Sequence, residues 1–117
     1  MPDDLDLRAL RELYRALGDV TRLRMIALLA SDGPLQVTEL SRRIGLSQPL
    51  ISWHLRILRV AGVITTERHG REVICRLRPR VFDELHAAEE RLVAGERPAQ
   101  HAAYAGSDLS EEVPDVG

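Results

Sequence analysis

Gln48, Ser52, Trp53, Arg56 and Arg59 recur at helical spacing, so a helix turning about 100° per residue gathers them on one arc. They offer an amide, a hydroxyl, an indole N–H and two guanidiniums, with no acid among them. Groups of this kind read base edges in a major groove and pair with phosphates. The opposite arc carries Leu50, Ile51, His54, Leu55, Ile57 and Leu58, a stripe for a core, which makes His54 a structural histidine. Ser47 is the expected N-cap and a further candidate contact, and Pro49 is tolerated in the first turn. Arg68, His69 and Arg71 surround Gly70 and place cations at a turn, where they would reach a nucleic-acid backbone or minor groove. Further on, Asp83, His86 and Glu90 follow steps of three and four along a helix. Imidazole with carboxylates suits nickel or zinc, and His101 is a fourth candidate ligand. The plain alternative for that set is a solvated acidic helix face. Cys75 is the only cysteine, which excludes an intramolecular disulfide and a cysteine-rich zinc site. It falls on the apolar face of a strand and reads as a buried thiol with no resolving partner.

The elements that must position these groups follow from periodicity and punctuation. Leu7, Leu10, Tyr14 and Leu17 mark a helix over 5–17, ended by Gly18. Asp19 is the expected cap of a second helix over 20–31, with Leu23, Ile26, Ala27 and Ala30 inward. Asp32-Gly33-Pro34 breaks it. A third helix, 37–44, ends at Gly45, and the Arg-bearing fourth helix runs to Ala61-Gly62. Helix, short glycine turn, polar-faced helix is the helix-turn-helix pattern. Residues 63–68 and 71–78 read as strands joined by a His69-Gly70 turn. Pro79 starts a fifth helix over 79–94, with Val81, Phe82, Leu85, Ala88 and Leu92 on its apolar side.

The expected fold is therefore mainly α with a small β-hairpin wing, a winged helix-turn-helix of order α-α-α-α-β-β-α. Residues 1–94 form the DNA-binding and dimerisation domain, and 95–117 an acidic, disordered tail. The first and fifth helices flank a three-helix core that is complete without them, so a homodimer through those two helices is expected.

Charge is segregated along the chain. The 117 residues carry a net charge of -2, and all 16 basic residues are Arg. Residues 42–80 hold nine Arg against two acids, Glu67 and Glu72, whereas 81–117 hold two Arg against nine acids. The basic block coincides with the helix-turn-helix and is suited to engaging a polyanion by counterion release. No apolar run approaches membrane-spanning length, so no membrane partner is expected. The acidic N-terminus lacks a signal-peptide core, which points to a cytoplasmic protein.

Several runs together resemble the ArsR/SmtB family of small bacterial winged-helix regulators. They are Ala16-Leu17-Gly18-Asp19-Val20-Thr21-Arg22-Leu23-Arg24, Val37-Thr38-Glu39-Leu40, Leu46-Ser47-Gln48, Ser52-Trp53-His54-Leu55-Arg56-Ile57-Leu58, Ala61-Gly62-Val63-Ile64 and Arg68-His69-Gly70-Arg71. The resemblance spans roughly 8–94. It implies a homodimer, repressor or activator, that binds an operator and responds to a metal, a sulfur species or no small molecule. The family's best-known sensor ligands are missing. Gln36 and Thr38 stand where thiol-based metal sensors have a Cys-x-Cys. A gapless register from the wing puts Pro79, Val81, Leu92 and Gly95 at the ligand positions of the zinc and cobalt sensors.

The expected function is thus a transcriptional regulator, a repressor, that binds a palindromic double-stranded DNA operator as a homodimer, with nickel or zinc at a nonstandard site as its effector. Two alternatives stand: a regulator with no metal effector, and a winged-helix interaction module that binds no DNA. An enzyme is not expected, since no nucleophile or carboxylate pair sits beside a base and no phosphate-binding glycine loop occurs.

Overall fold

Eight elements make up the computed structural model, which describes residues 6–95. They are α1 (Leu7–Leu17), α2 (Val20–Asp32), β1 (Leu35–Gln36), α3 (Val37–Ile44), α4 (Gln48–Val60), β2 (Ile64–His69), β3 (Glu72–Leu77) and α5 (Arg80–Val93). His101 and the rest of the tail from residue 96 lie outside the described residues.

The helix starts are set by short acceptor side chains. Asp6 accepts from the backbone N–H groups of Arg8 and Ala9 at the head of α1. Asp19 accepts from Arg22 N–H at 3.1 Å at the head of α2, as expected from its type and place. Ser47 accepts from Leu50 N–H at the head of α4. Gly45 closes α3 in the left-handed conformation, φ 85°, which a side chain would resist.

The core sits where α2, α3 and α4 meet the sheet. Met25 and Leu29 of α2, Leu40 and Ile44 of α3, and Ile51, Leu55 and Leu58 of α4 close over Val63, Ile64, Cys75 and Val81. Each such aliphatic side chain contributes roughly 1.5–3 kcal/mol by leaving water. With few aromatics in the chain, branched aliphatics carry this core.

The structure differs from the expected elements in five places. A strand at Leu35–Gln36 pairs antiparallel with β3, Leu35 opposite Cys75, so the sheet has three strands in the order β1-β3-β2. Two residues show no periodicity, so only the fold reveals this strand. The hairpin register is one residue later than expected: His69 pairs with Glu72, and Gly70-Arg71 makes the turn. Gly70 takes φ 63°, the conformation that a primed hairpin turn requires at its first central position.

The inward face of α2 is Arg22, Met25 and Leu29, while Leu23, Ala27 and Ala30 are exposed and Ile26 half-buried. Hydropathy assigns an arginine outward. Here the protein itself satisfies the guanidinium, so the helix turns about a third of a revolution from the hydropathy reading. Finally, the apolar stripes of α1 and α5 are already partly covered within one chain. Leu10 and Leu85 are both buried within one chain, whereas Tyr14 and Leu92 are exposed. Leu50 of α4, expected inward, is also exposed.

Candidate nucleic-acid interface

Two anchors hold α4. Its inner face packs Ile51, Leu55 and Leu58 into the core. Before it, the Ser41 hydroxyl of α3 donates to the Leu46 carbonyl and ties the turn between the two helices. The outer face is thereby presented as a rigid unit. All nine residues singled out as DNA contacts, Ser47, Gln48, Ser52, Trp53, Arg56, Arg59, Arg68, His69 and Arg71, are exposed.

Seven of them line two grooves. Gln48, Ser52 and Arg59 of α4 line an open cleft of about 450 Å³ together with Arg68 and Arg71 of the wing and Gln36 and Thr38. Trp53 and Arg56 line a different groove, about 560 Å³, with Arg15 of α1, Arg22 of α2 and Val60. Ser47 and His69 line neither. The wing folds over one flank of α4 and α1 borders the other, so the arc of exposed residues divides between two grooves.

The ion pairs separate the arginines by role. Arg42 and Arg43 bind Glu39, and Arg43 also binds Asp32. Arg76 lies 3.5 Å from Glu67, and Arg78 pairs with Glu84 at 2.8 Å. Glu67 also meets His69 at 3.4 Å. By contrast, Arg56, Arg59, Arg68 and Arg71 have no carboxylate partner among the described residues. Glu72 is the one acid lining the wing cleft. Guanidiniums left unpaired beside an amide and a hydroxyl are suited to take phosphates and base edges.

Behind this face lies a junction that hydropathy does not reveal. Arg22 is 8% exposed, and its Nε donates to the Ala16 carbonyl at 2.7 Å and its Nη2 to the Arg15 carbonyl at 3.2 Å. Its Nη1 lies 3.1 Å from His54 Nδ1. His54 is 6% exposed, as its place on the inner arc implies, and burial lowers its pKa from the ordinary 6.5. Asp19 raises it and Arg22 lowers it, both more weakly. The sequence signal for Arg22 was its spacing with Met25 and Leu29, three and then four residues.

The expected metal ligands are not brought together. Among the described residues no three His, Cys, Asp or Glu side chains form a group able to hold a metal ion. His86 Nδ1 instead contacts Glu89 Oε1 at 3.2 Å, and Glu89 Oε2 accepts from the Tyr14 hydroxyl of α1 at 2.7 Å. That link to α1 holds the Glu89 carboxylate beside His86, and Asp83, His86 and Glu90 form no metal-holding group among the described residues. Cys75 is fully buried, and desolvation pushes its thiol up to about 11, far from a reactive thiolate.

Comparison with known proteins agrees with this geometry. Residues 19–66 match the family described as bacterial regulatory protein, arsR family. The chain is 46% identical over 69 residues to the arsenic resistance transcriptional regulator ArsR1 of Pseudomonas putida, covering 59% of this chain and 54% of that protein. It therefore spans about half the length of that relative. It is 39% identical over 89 residues to the arsenical resistance operon repressor of Escherichia coli, covering 70% of this chain and 76% of that repressor. Among solved structures, an ArsR family transcriptional regulator, RHA00566, superposes with a TM-score of 0.67 at 28% identity, covering 80% of this chain and 98% of that one.

Proposed function

Because the chain belongs to the arsR family of bacterial regulatory proteins, we propose that it is a DNA-binding transcriptional repressor that grips its operator with α4 and the wing. The observation that carries this reading is the set of unpaired arginines. Most other arginines of the basic segment are bound to acids, while Arg56, Arg59, Arg68 and Arg71 are left for an external anion. In this reading Gln48, Ser52 and Arg56 reach base edges, and Arg59, Arg68 and Arg71 hold phosphates. Gel-shift titration across salt concentrations is the test. The expected result is a steep fall in affinity with salt, about 0.9 in log–log slope for each phosphate neutralised. Salt-independent or undetectable binding to any duplex would favour an interaction module instead.

Operator binding needs a second copy in this reading. On α1 and α5, which border a groove of about 400 Å³, Tyr14, Leu92 and Val93 are exposed and offer apolar surface to a twofold partner. A dimer would present two α4 helices to half-sites about 34–36 Å apart.

The effector is the finer part of the proposal. The relatives named above include regulators of arsenic resistance, but this sequence has one cysteine and it is buried. Soft thiolate coordination therefore lacks its donors. His86 and Glu89, beside Asp83 and Glu90 on α5, are nitrogen and oxygen donors of the kind nickel or zinc takes, with a partner protomer or His101 completing the set. Calorimetric titration of His86→Ala beside the unmodified protein tests it. Equal nickel and zinc affinity in both would remove His86 as a ligand.

A further inference from the structure

Three elements meet at one guanidinium. Arg22, in the first turn of α2, donates to the carbonyls of Ala16 and Arg15 at the end of α1 and reaches His54 in the middle of α4. The end of α1 is the negative end of its dipole, which favours a cation there. A guanidinium only donates, so the Arg22 contact needs a lone pair on His54 Nδ1 and places the ring proton on Nε2. The same Nδ1 lies 4.0 Å from Asp19 Oδ2, whose carboxylate also caps α2. One nitrogen thus has a donor in contact and an acceptor just beyond contact.

We propose that Arg22, Asp19 and His54 form a two-state joint that positions α4, in which proton uptake at His54 Nδ1 exchanges the Arg22 contact for one to Asp19 and weakens DNA binding. The proton comes from solvent and no other bond changes. Once Nδ1 carries it, the nitrogen cannot accept, and the ring becomes a cation facing the Arg22 cation. Asp19 is the nearby carboxylate able to receive the new N–H. Arg22 keeps its two α1 carbonyls, so α1 and α2 stay joined while α4 follows its histidine. The charged groups acting on the ring from the packed elements are Asp19 and Arg22, and its neighbour on its own helix is Trp53, which is uncharged. Burial and Arg22 oppose protonation and Asp19 favours it, with a net lowering, so the exchange lies on the acid side of 6.5. The effect on DNA rests on the repressor reading; the joint itself does not.

Trp53, the only tryptophan, makes the test direct. Its ring meets that of His54 edge-on at 4.9 Å, and a protonated imidazole quenches indole emission. Emission of the full chain, followed from about pH 7.5 to about pH 5, is expected to fall in one titration centred below the ordinary histidine value. The titration is expected to vanish in His54→Asn. In Asp19→Asn, which keeps the cap but removes the charge, it is expected to move to lower pH. Operator affinity is expected to drop about tenfold across the same transition, a typical coupling between two sites. His54→Asn, whose amide oxygen can still accept from Arg22, is expected to bind normally at neutral pH and lose that drop.

Flat emission in the unmodified chain would overturn the joint, and so would an unchanged titration in His54→Asn or one coincident with loss of helical circular dichroism. A normal emission titration with pH-independent operator affinity would overturn its role in positioning α4. Absence of DNA binding at every pH with the emission titration intact would support the joint and overturn the repressor reading.

Discussion

An arginine acts according to its partner. Arg42 and Arg43 are committed to Glu39, and they hold its carboxyl at about 2 against an ordinary 4.5. A carboxylate depressed in the folded state stabilises above its unfolded value, and that contribution fades as pH falls from about 4.5 toward 2. Glu39→Gln is expected to lower stability slightly near neutrality and to flatten the loss of urea resistance over that acid window, a small effect because solvent reaches these side chains. Arg68 and Arg71, with no acid to hold them, are expected to behave otherwise. Replacing either with Ala is expected to weaken binding to all duplexes about equally and reduce the salt slope by about one, read from gel shifts at several salt concentrations. A change confined to one operator base would mean a base contact instead.

Among the elements, the wing shows how backbone conformation supports a site. Gly70 holds φ 63° between two strands, and a Cβ there would meet no atom within 4 Å. The cost of Gly70→Ala is then the backbone alone, about 1–2 kcal/mol. It is expected to lower the melting temperature modestly and to weaken DNA binding through a displaced Arg71. An unchanged melting temperature would mean that the turn adapts. At its base the wing is tied to α4 and α5 by Arg78, which donates to the Gly62 carbonyl at 3.2 Å and pairs with Glu84. The orientation of the wing and the pose of α5 are linked at that point.

For the whole molecule, assembly decides whether two α4 helices act together. Leu10 and Leu85 are poor probes of this, because each is buried within one chain and a charge there would damage the fold. Leu92 is 44% exposed on α5 and is the better choice. Leu92→Glu is expected to give a folded monomer by sedimentation with retained circular dichroism. Its operator affinity is expected to fall, since one half-site contact is lost. A dimer that survives this change would place the seam elsewhere.

Much of this was legible in the residues. The caps at Asp19 and Ser47, the break at Gly45, the Ile51-Leu55-Leu58 stripe and the alternation around Cys75 are local signals, each carried by a few neighbours in the chain. From them followed the helix-turn-helix, the wing and the types of side chain offered to a polyanion. Other features arise between segments that share no local pattern. Leu35–Gln36 becomes a strand only because β3 lies beside it. Arg22 turns inward only because α1 and His54 bring three acceptors to it. Which arginines are free, and how the outer face of α4 divides between two grooves, depend on where acids, the wing and α1 come to rest. Periodicity records which face of a helix is apolar; what that face meets, and which charges are already satisfied, is settled by packing at long range in the chain.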